Sequence, residues 1–165
     1  MSKRIGKFAG VSKREQALSL MDGGSITGTL ASTGAATFSS TVNCEVGIQN
    51  AAVARTATAD GTGNGTIADG TSHVTVTSGG ANTIIILPTP TPGNIVYLSE
   101  AGTTGYELRS SAPASVGING GTGSNVESAI AGAITYIKCV CVSATSWICS
   151  QYDADGDESK VEAAA

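Results

Sequence analysis

The chain has little of what most function classes require. It carries one histidine, one tryptophan and two phenylalanines, aromatics are 4% of its 165 residues, and charged side chains are 13%. His73 has no obvious nucleophile or carboxylate near it in sequence, and the chain offers no motif for a catalytic triad. There is no Gly-x-Ser-x-Gly elbow and no phosphate loop with its lysine. The longest apolar run, Ile84 to Leu87, is far short of the ~20 residues that span a bilayer. The basic N-terminus lacks the ~7–15-residue apolar stretch of a secretory signal. The expectation is a protein that starts in a cytoplasm, where four cysteines need not pair. A net charge of −4 and a pI near 4.8 argue against a general nucleic-acid binder.

Large apolar residues are also scarce. Leu, Ile, Val and Phe together number 33 of 165, near the floor below which chains tend toward disorder. The second half of that signature, high net charge, is missing. The chain should therefore fold around a thin core, which invites oligomerisation.

What is present is small and β-branched. Gly, Ala, Thr and Ser account for 84 residues, and Ile plus Val number 25 against 6 Leu. Side chains stiff at χ1 suit a pleated surface better than a helix. The expected class is all-β: a small sandwich or jelly-roll-like β domain after a thin β stalk and a short N-terminal helix.

Four segments follow. Residues 1–23 hold five of the nine basic residues, Lys3, Arg4, Lys7, Lys13 and Arg14. Ser12-Lys13-Arg14-Glu15 fits a capping box, and Gly23 fits a stop, so a short helix is expected from about Lys13 to Met21. A helix of that length is marginal alone. The segment reads either as a disordered tail or as a docking peptide that orders on a larger partner.

Residues 24–65 are rich in Gly, Thr and Ala, with Ile26, Leu30, Phe38 and Val42 at spacings of four or eight. One chain cannot bury so sparse a stripe on itself, whereas several copies around a common axis can. A flexible linker is the competing reading. The stretch from Ala51 to Gly65 has only Val53 as a large apolar residue and reads as a hinge.

Residues 66–152 alternate short apolar runs with turn signals, as in a sandwich or barrel. Strands are expected at His73–Ser78, Thr83–Leu87, Ile95–Ser99, Tyr106–Ser110, Ser115–Ile118, Ala133–Ser143 and Trp147–Tyr152. Asn119-Gly120-Gly121 supplies residues tolerant of positive φ. Pro88, Pro90 and Pro92 mark a loop or edge crossing. A second capping box at Ser124 to Glu127 suggests one helical turn over Glu127 to Ala131. Residues 153–165 read as a solvated, poorly ordered acidic tail.

No constellation carries site chemistry strongly. Asp153-Ala-Asp155-Gly-Asp157 opens like a calcium loop, but such a loop needs Gly at its sixth position and Glu at its twelfth; here these are Glu158 and Ala164. Cys139, Cys141 and Cys149 lack zinc-ligand or CxxC spacing. They read as small buried apolar residues, with Ile137, Cys139 and Cys141 as one core-facing row. A three-residue hairpin loop at Ala144 to Ser146 would set Cys141 opposite Cys149. No role for Cys44 is legible. Glu100, Glu107, Glu127, Asp60 and Asp69 are the only body carboxylates for glycoside hydrolysis, and no enzymatic activity, metal or cofactor is expected. Trp147 reads as a core or subunit-interface residue, with sugar stacking as the functional alternative.

The opening Met-Ser-Lys-Arg-Ile-Gly-Lys-Phe, Ser12-Lys-Arg-Glu-Gln-Ala-Leu-Ser-Leu, Asp22-Gly-Gly and the Thr/Gly stretch resemble small structural proteins of tailed bacteriophages. Thr83-Ile-Ile-Ile-Leu-Pro, Pro92-Gly, Ile118-Asn-Gly-Gly and Thr145-Ser-Trp147 resemble the β domains of phage capsid decoration (cement or head-fibre) proteins and of some tail-fibre domains. The resemblance spans nearly the whole chain through turn chemistry rather than site chemistry.

It implies a virion structural protein that binds the outer capsid surface as a homotrimer, assembles in the host cytoplasm, and stabilises or decorates the head. Its partners would be the major capsid protein and copies of itself, with no nucleic acid and no membrane. Lys3, Arg4, Lys7, Phe8, Lys13 and Arg14 would form the capsid anchor. Ile26, Leu30, Phe38 and Val42 would line the trimer axis. The alternative is a tail-fibre or receptor-binding adhesin with a host-surface glycan as partner. That reading calls for an exposed aromatic patch, for which Tyr97, Tyr106, Tyr136 and Trp147 are the candidates on expected strands.

Overall fold

The computed structural model describes residues 50–80, 82–101, 104–122 and 134–162. All belong to the second of two units, Met1–Val46 and Gly47–Ala165. The anchor and axis residues, the helix at Lys13 to Met21, Cys44 and the turn at Glu127 to Ala131 lie outside the described residues. Strands make up 46% of the described residues with almost no helix, so the architecture is all-β.

The strands form where β-branched runs alternate with small polar residues. They are β1 (Val53–Thr56), β2 (His73–Thr77), β3 (Ile84–Ile86), β4 (Ile95–Glu100), β5 (Glu107–Arg109), β6 (Gly117–Ile118), β7 (Ile134–Ser143), β8 (Ser146–Asp153) and β9 (Glu158–Lys160). The large sheet has the order β1-β2-β4-β7-β8-β6, with β9 also on β8, and β3 and β5 form a second sheet. Alternation in His73-Val-Thr-Val-Thr buries Val74 and Val76 and leaves the threonines outward. The same period buries Val96 and Leu98, then Ile137, Cys139 and Cys141, then Trp147 and Cys149. Ile67, Ile85, Leu87 and Leu108 join them in one hydrophobic core. Each such aliphatic side chain contributes roughly 1.5–3 kcal/mol on burial.

The first half of the body is a coil. β1, β2 and β4 run parallel in the large sheet, and β3 and β5 run parallel in the small one. The chain passes from one sheet to the other and returns one strand over. Thr66 bridges Ile86 in parallel and so begins the small sheet's row. The pairs Thr66↔Ile86, Val53↔Val74, Ile86↔Arg109 and Val74↔Leu98 are 20, 21, 23 and 24 residues apart. Three turns of chain are thus stacked in register, the arrangement of a short solenoid. The antiparallel strands β7, β8 and β9 then close the sheet beyond β4.

Ile84, Ile85 and Ile86 are explained by cover on both faces. Ile85 points into the core. On the other side the loop from Thr58 to Thr66 crosses Ile84 and Ile86 so closely that a Cβ on Gly61 would lie 2.7 Å from the Ile86 side chain. Gly61 also has φ +76°, which glycine alone adopts without strain. Asp60 braces this loop by accepting from the Thr62 amide at 3.0 Å, the Thr62 hydroxyl at 2.9 Å and the Thr58 hydroxyl at 3.3 Å. The Thr62 hydrogen bonds hold its carboxyl below the usual range.

Several expectations are corrected. Val53 to Thr56, read as hinge, is a strand of the large sheet, because parallel pairing with β2 supplies partners that the local sequence does not reveal. The acidic tail contributes β9 on β8, and Val161 is buried. A jelly roll is built from antiparallel pairs, whereas β1/β2, β2/β4, β3/β5 and β6/β8 are parallel. The β7–β8 turn has two residues, Ala144 and Thr145, with an irregularity between Cys141 and Ser143. Cys139 therefore faces Cys149, and Cys141 faces Trp147.

Candidate functional site

The same alternation that fills the core composes the outward face of the large sheet. The register aligns His73, Tyr97, Lys138, Ser150 and Lys160 in one row across β2, β4, β7, β8 and β9. The adjacent row is Thr75, Ser99, Tyr136, Tyr152 and Glu158. A third row toward the β7–β8 turn is Ile95, Val140 and Ile148. Ile95, Val142 and Ile148 are 38%, 54% and 45% exposed, and they are the large hydrophobics left exposed among the described residues.

Four rings from the first two rows meet. His73 and Tyr97 have centroids 4.8 Å apart, Tyr97 and Tyr136 5.7 Å, and Tyr136 and Tyr152 5.4 Å. The Tyr97 and Tyr136 planes are 18° from parallel. With carbon atoms in contact at ~3.5–4.0 Å, a 5.7 Å centroid separation means a sideways slip of about 4 Å. The rings overlap like tiles, and much of each face is left uncovered by its neighbour. Burial, followed by the nearby Tyr97 and Tyr152 phenols, pushes the Tyr136 hydroxyl above its ordinary range. Burial also raises Tyr152, as does the Glu158 carboxylate opposite it in the strand register. Both phenols therefore remain hydrogen-bond donors at neutral pH. Cross-strand aromatic pairs also stabilise the sheet, at about 0.2–1 kcal/mol each.

The structure divides the four aromatic candidates. Tyr97 and Tyr136 lie on the outward face, joined by His73 and Tyr152, while Tyr106 and Trp147 are buried. Trp147 packs in the core between Cys141 and Ile118 in the strand register. Its indole N–H has no hydrogen-bond partner among the described residues, which costs about 1–3 kcal/mol against its apolar gain. Cys139, Cys141 and Cys149 are free and buried. Burial and contact with Cys149 push the Cys139 thiol well up, so it stays protonated and packs as an apolar group.

The body carboxylates sit on separate elements. Asp69 accepts from the Thr89 amide at 2.8 Å, and Glu107 lies 4.0 Å from Arg109. Asp153 accepts from the amides of Asp155 and Asp157 at 3.0 and 2.9 Å, so the acidic run closes the β8–β9 turn, with Gly156 at φ +87°. Among the described residues, no group of three His, Cys, Asp or Glu is placed to hold a metal ion, and no helix is long and apolar enough to cross a membrane. Glu127 lies outside the described residues.

The four rings escaped the sequence reading because they are spread over 80 positions and meet only through strand pairing, parallel between β2 and β4 and antiparallel from β4 to β8. The available signal was the alternation around Val74, Val96 and Ile137, which sets His73, Tyr97 and Tyr136 opposite the core. No family model matches the chain, and neither a curated protein nor a solved structure matches it.

Proposed function

We propose that the chain is a structural protein of a bacteriophage virion, which binds the outer capsid surface as a homotrimer and stabilises or decorates the head. The observation that supports this reading best is the aliphatic corner formed by Ile95, Val142 and Ile148 on one sheet face. Gathered exposed apolar side chains of this kind suit a subunit contact. The two sheets would serve as the layers of a small sandwich, rigid enough to brace neighbouring capsomers. The basic residues Lys3, Arg4, Lys7, Lys13 and Arg14 with Phe8 would anchor the chain, their charge supplying orientation and on-rate more than affinity. Ile26, Leu30, Phe38 and Val42 would pack about the trimer axis.

The test is binding of purified chain to undecorated capsids. Deleting residues 1–22 should abolish binding while circular dichroism retains the β signal, and sedimentation of the full chain should give a trimer. Capsid binding that survives the deletion, or a monomer at micromolar concentration, would sink the reading. The second reading, a tail-fibre or receptor-binding adhesin, is favoured by the half-exposed cluster of His73, Tyr97, Tyr136 and Tyr152. Immunogold label at the tail tip rather than over the head would select it.

A further inference from the structure

We propose that the four outward rings His73, Tyr97, Tyr136 and Tyr152, which step across two adjacent rows of the sheet, form with Lys138 and Lys160 a binding track for an acidic polysaccharide. This names a ligand class for the adhesin reading and rests on that reading for its biological setting.

Three observations converge on it. First, the rings follow the strand spacing of ~4.8 Å, with one ring each from β2, β4, β7 and β8 and centroid steps of 4.8, 5.7 and 5.4 Å. That pitch is on the scale of one sugar ring, and the slipped overlap leaves ring faces and edges accessible to a chain laid across the sheet. Second, the cations are placed. Only four basic residues lie beyond the first fourteen positions, namely Arg55, Arg109, Lys138 and Lys160. Two of them fall on the His73–Tyr97 row by strand register. Among the described residues neither lysine has an ion pair, although the chain as a whole is acidic. Third, the small polar groups flanking the rings on the two rows are neutral: Thr75, Ser99 and Ser150. The one carboxylate on the two rows is Glu158, at the far end, opposite Tyr152.

A neutral glycan would gain from the rings but would leave the lysines unused. A second copy of this acidic chain would find the aliphatic corner a better contact than a row carrying two lysines. A carboxylated sugar chain uses both features, with apolar ring faces over the tyrosines and carboxylates on Lys138 and Lys160 through charge-assisted hydrogen bonds.

The experiment uses full-length protein, with polygalacturonate as the acidic probe and dextran of matched length as the neutral one, followed by isothermal titration calorimetry. Binding to polygalacturonate, weakened by salt and absent for dextran, is expected. Lys138→Gln should weaken it roughly tenfold, as loss of one charge-assisted contact. Tyr136→Ala should abolish it. Because Tyr136→Ala removes two ring contacts, Lys138→Gln is the deciding variant; its melting temperature and sedimentation should match those of the original chain. No binding to polygalacturonate, equal binding to dextran, or binding indifferent to both substitutions would overturn the proposal. So would loss of oligomeric state in Lys138→Gln, which would assign the row to a subunit contact. Attachment to host cells that is untouched by Lys138→Gln would overturn this site and leave the adhesin reading standing. Polygalacturonate binding through the row without any cell attachment would do the reverse.

Discussion

Asn119 holds together parts of the chain that are far apart in sequence. Its amide nitrogen donates to the carbonyls of Cys149 and Val161 at 2.9 and 2.6 Å, and its side-chain oxygen accepts from the Cys149 amide at 2.8 Å. Its φ of +53° lies in the left-handed region, which Asn tolerates better than most residues. Asn119→Ala should destabilise the fold by about 4 kcal/mol, from three lost hydrogen bonds at about 1 kcal/mol each and the unfavourable φ. Asn119→Asp keeps the acceptor but sets a carboxylate oxygen against the Cys149 and Val161 carbonyls, and should cost at least as much at neutral pH. Denaturant titration of both variants checks this, and an Asn119→Ala midpoint equal to that of the original chain would refute it.

Glu100 shows the opposite situation. It lies in one register row with Arg55 and the fully buried Val76, and both its carboxylate oxygens are buried without a partner among the described residues. Burial raises its pKa, so the fold favours the protonated form. The stability cost is absent below the unfolded carboxylate pKa and grows as pH rises toward the raised folded value. Glu100→Gln should therefore raise the melting temperature at neutral pH and leave it nearly unchanged in acid below the carboxylate range. An equal shift at both pH values would place the effect elsewhere.

At the scale of elements, the C-terminal segment is the part whose role changes most between sequence and structure. Glu158, Ser159 and Lys160 are all exposed, which is why the stretch reads as a solvated tail. Yet β9 pairs with β8, Val161 is 2% exposed, and the Val161 carbonyl receives the Asn119 amide. Truncation after Asp157 should cost at least about 2–3 kcal/mol, from Val161 burial and the Asn119 hydrogen bond, before the exposed β8–β9 ladder is added. A thermal melt coinciding with that of the full chain would show that the segment adds nothing. The β7–β8 hairpin was more legible, since its alternating row of Ile137, Cys139 and Cys141 is visible in sequence. Only its turn length, and with it the partner of Cys149, needed the structure. Gly117, in β6, was less so. A Cβ there would run into the Gly121 carbonyl, a close approach that no local pattern announces.

At the scale of the whole molecule, the period of 20 to 24 residues between stacked pairs was present in the sequence but hidden. Each turn of the coil is built from different residues, Val-Ala-Arg-Thr in one and His-Val-Thr-Val-Thr in the next, and the loops between them differ in length. By itself the sequence determined the all-β class, most strand positions, the positive-φ turn at Asn119 and Gly120, and the inward row of cysteines. These follow from side-chain stiffness, two-residue alternation and backbone sterics, all of which act within a few residues. The tertiary structure alone decided the strand order, the parallel register, and the membership of Val53 to Thr56 and Glu158 to Lys160 in the sheet. It also decided which tyrosines stand outward together. Pairing between strands depends on which distant backbone completes the hydrogen bonds and which faces bury each other, and a shift of one residue would turn the aromatic row into the core.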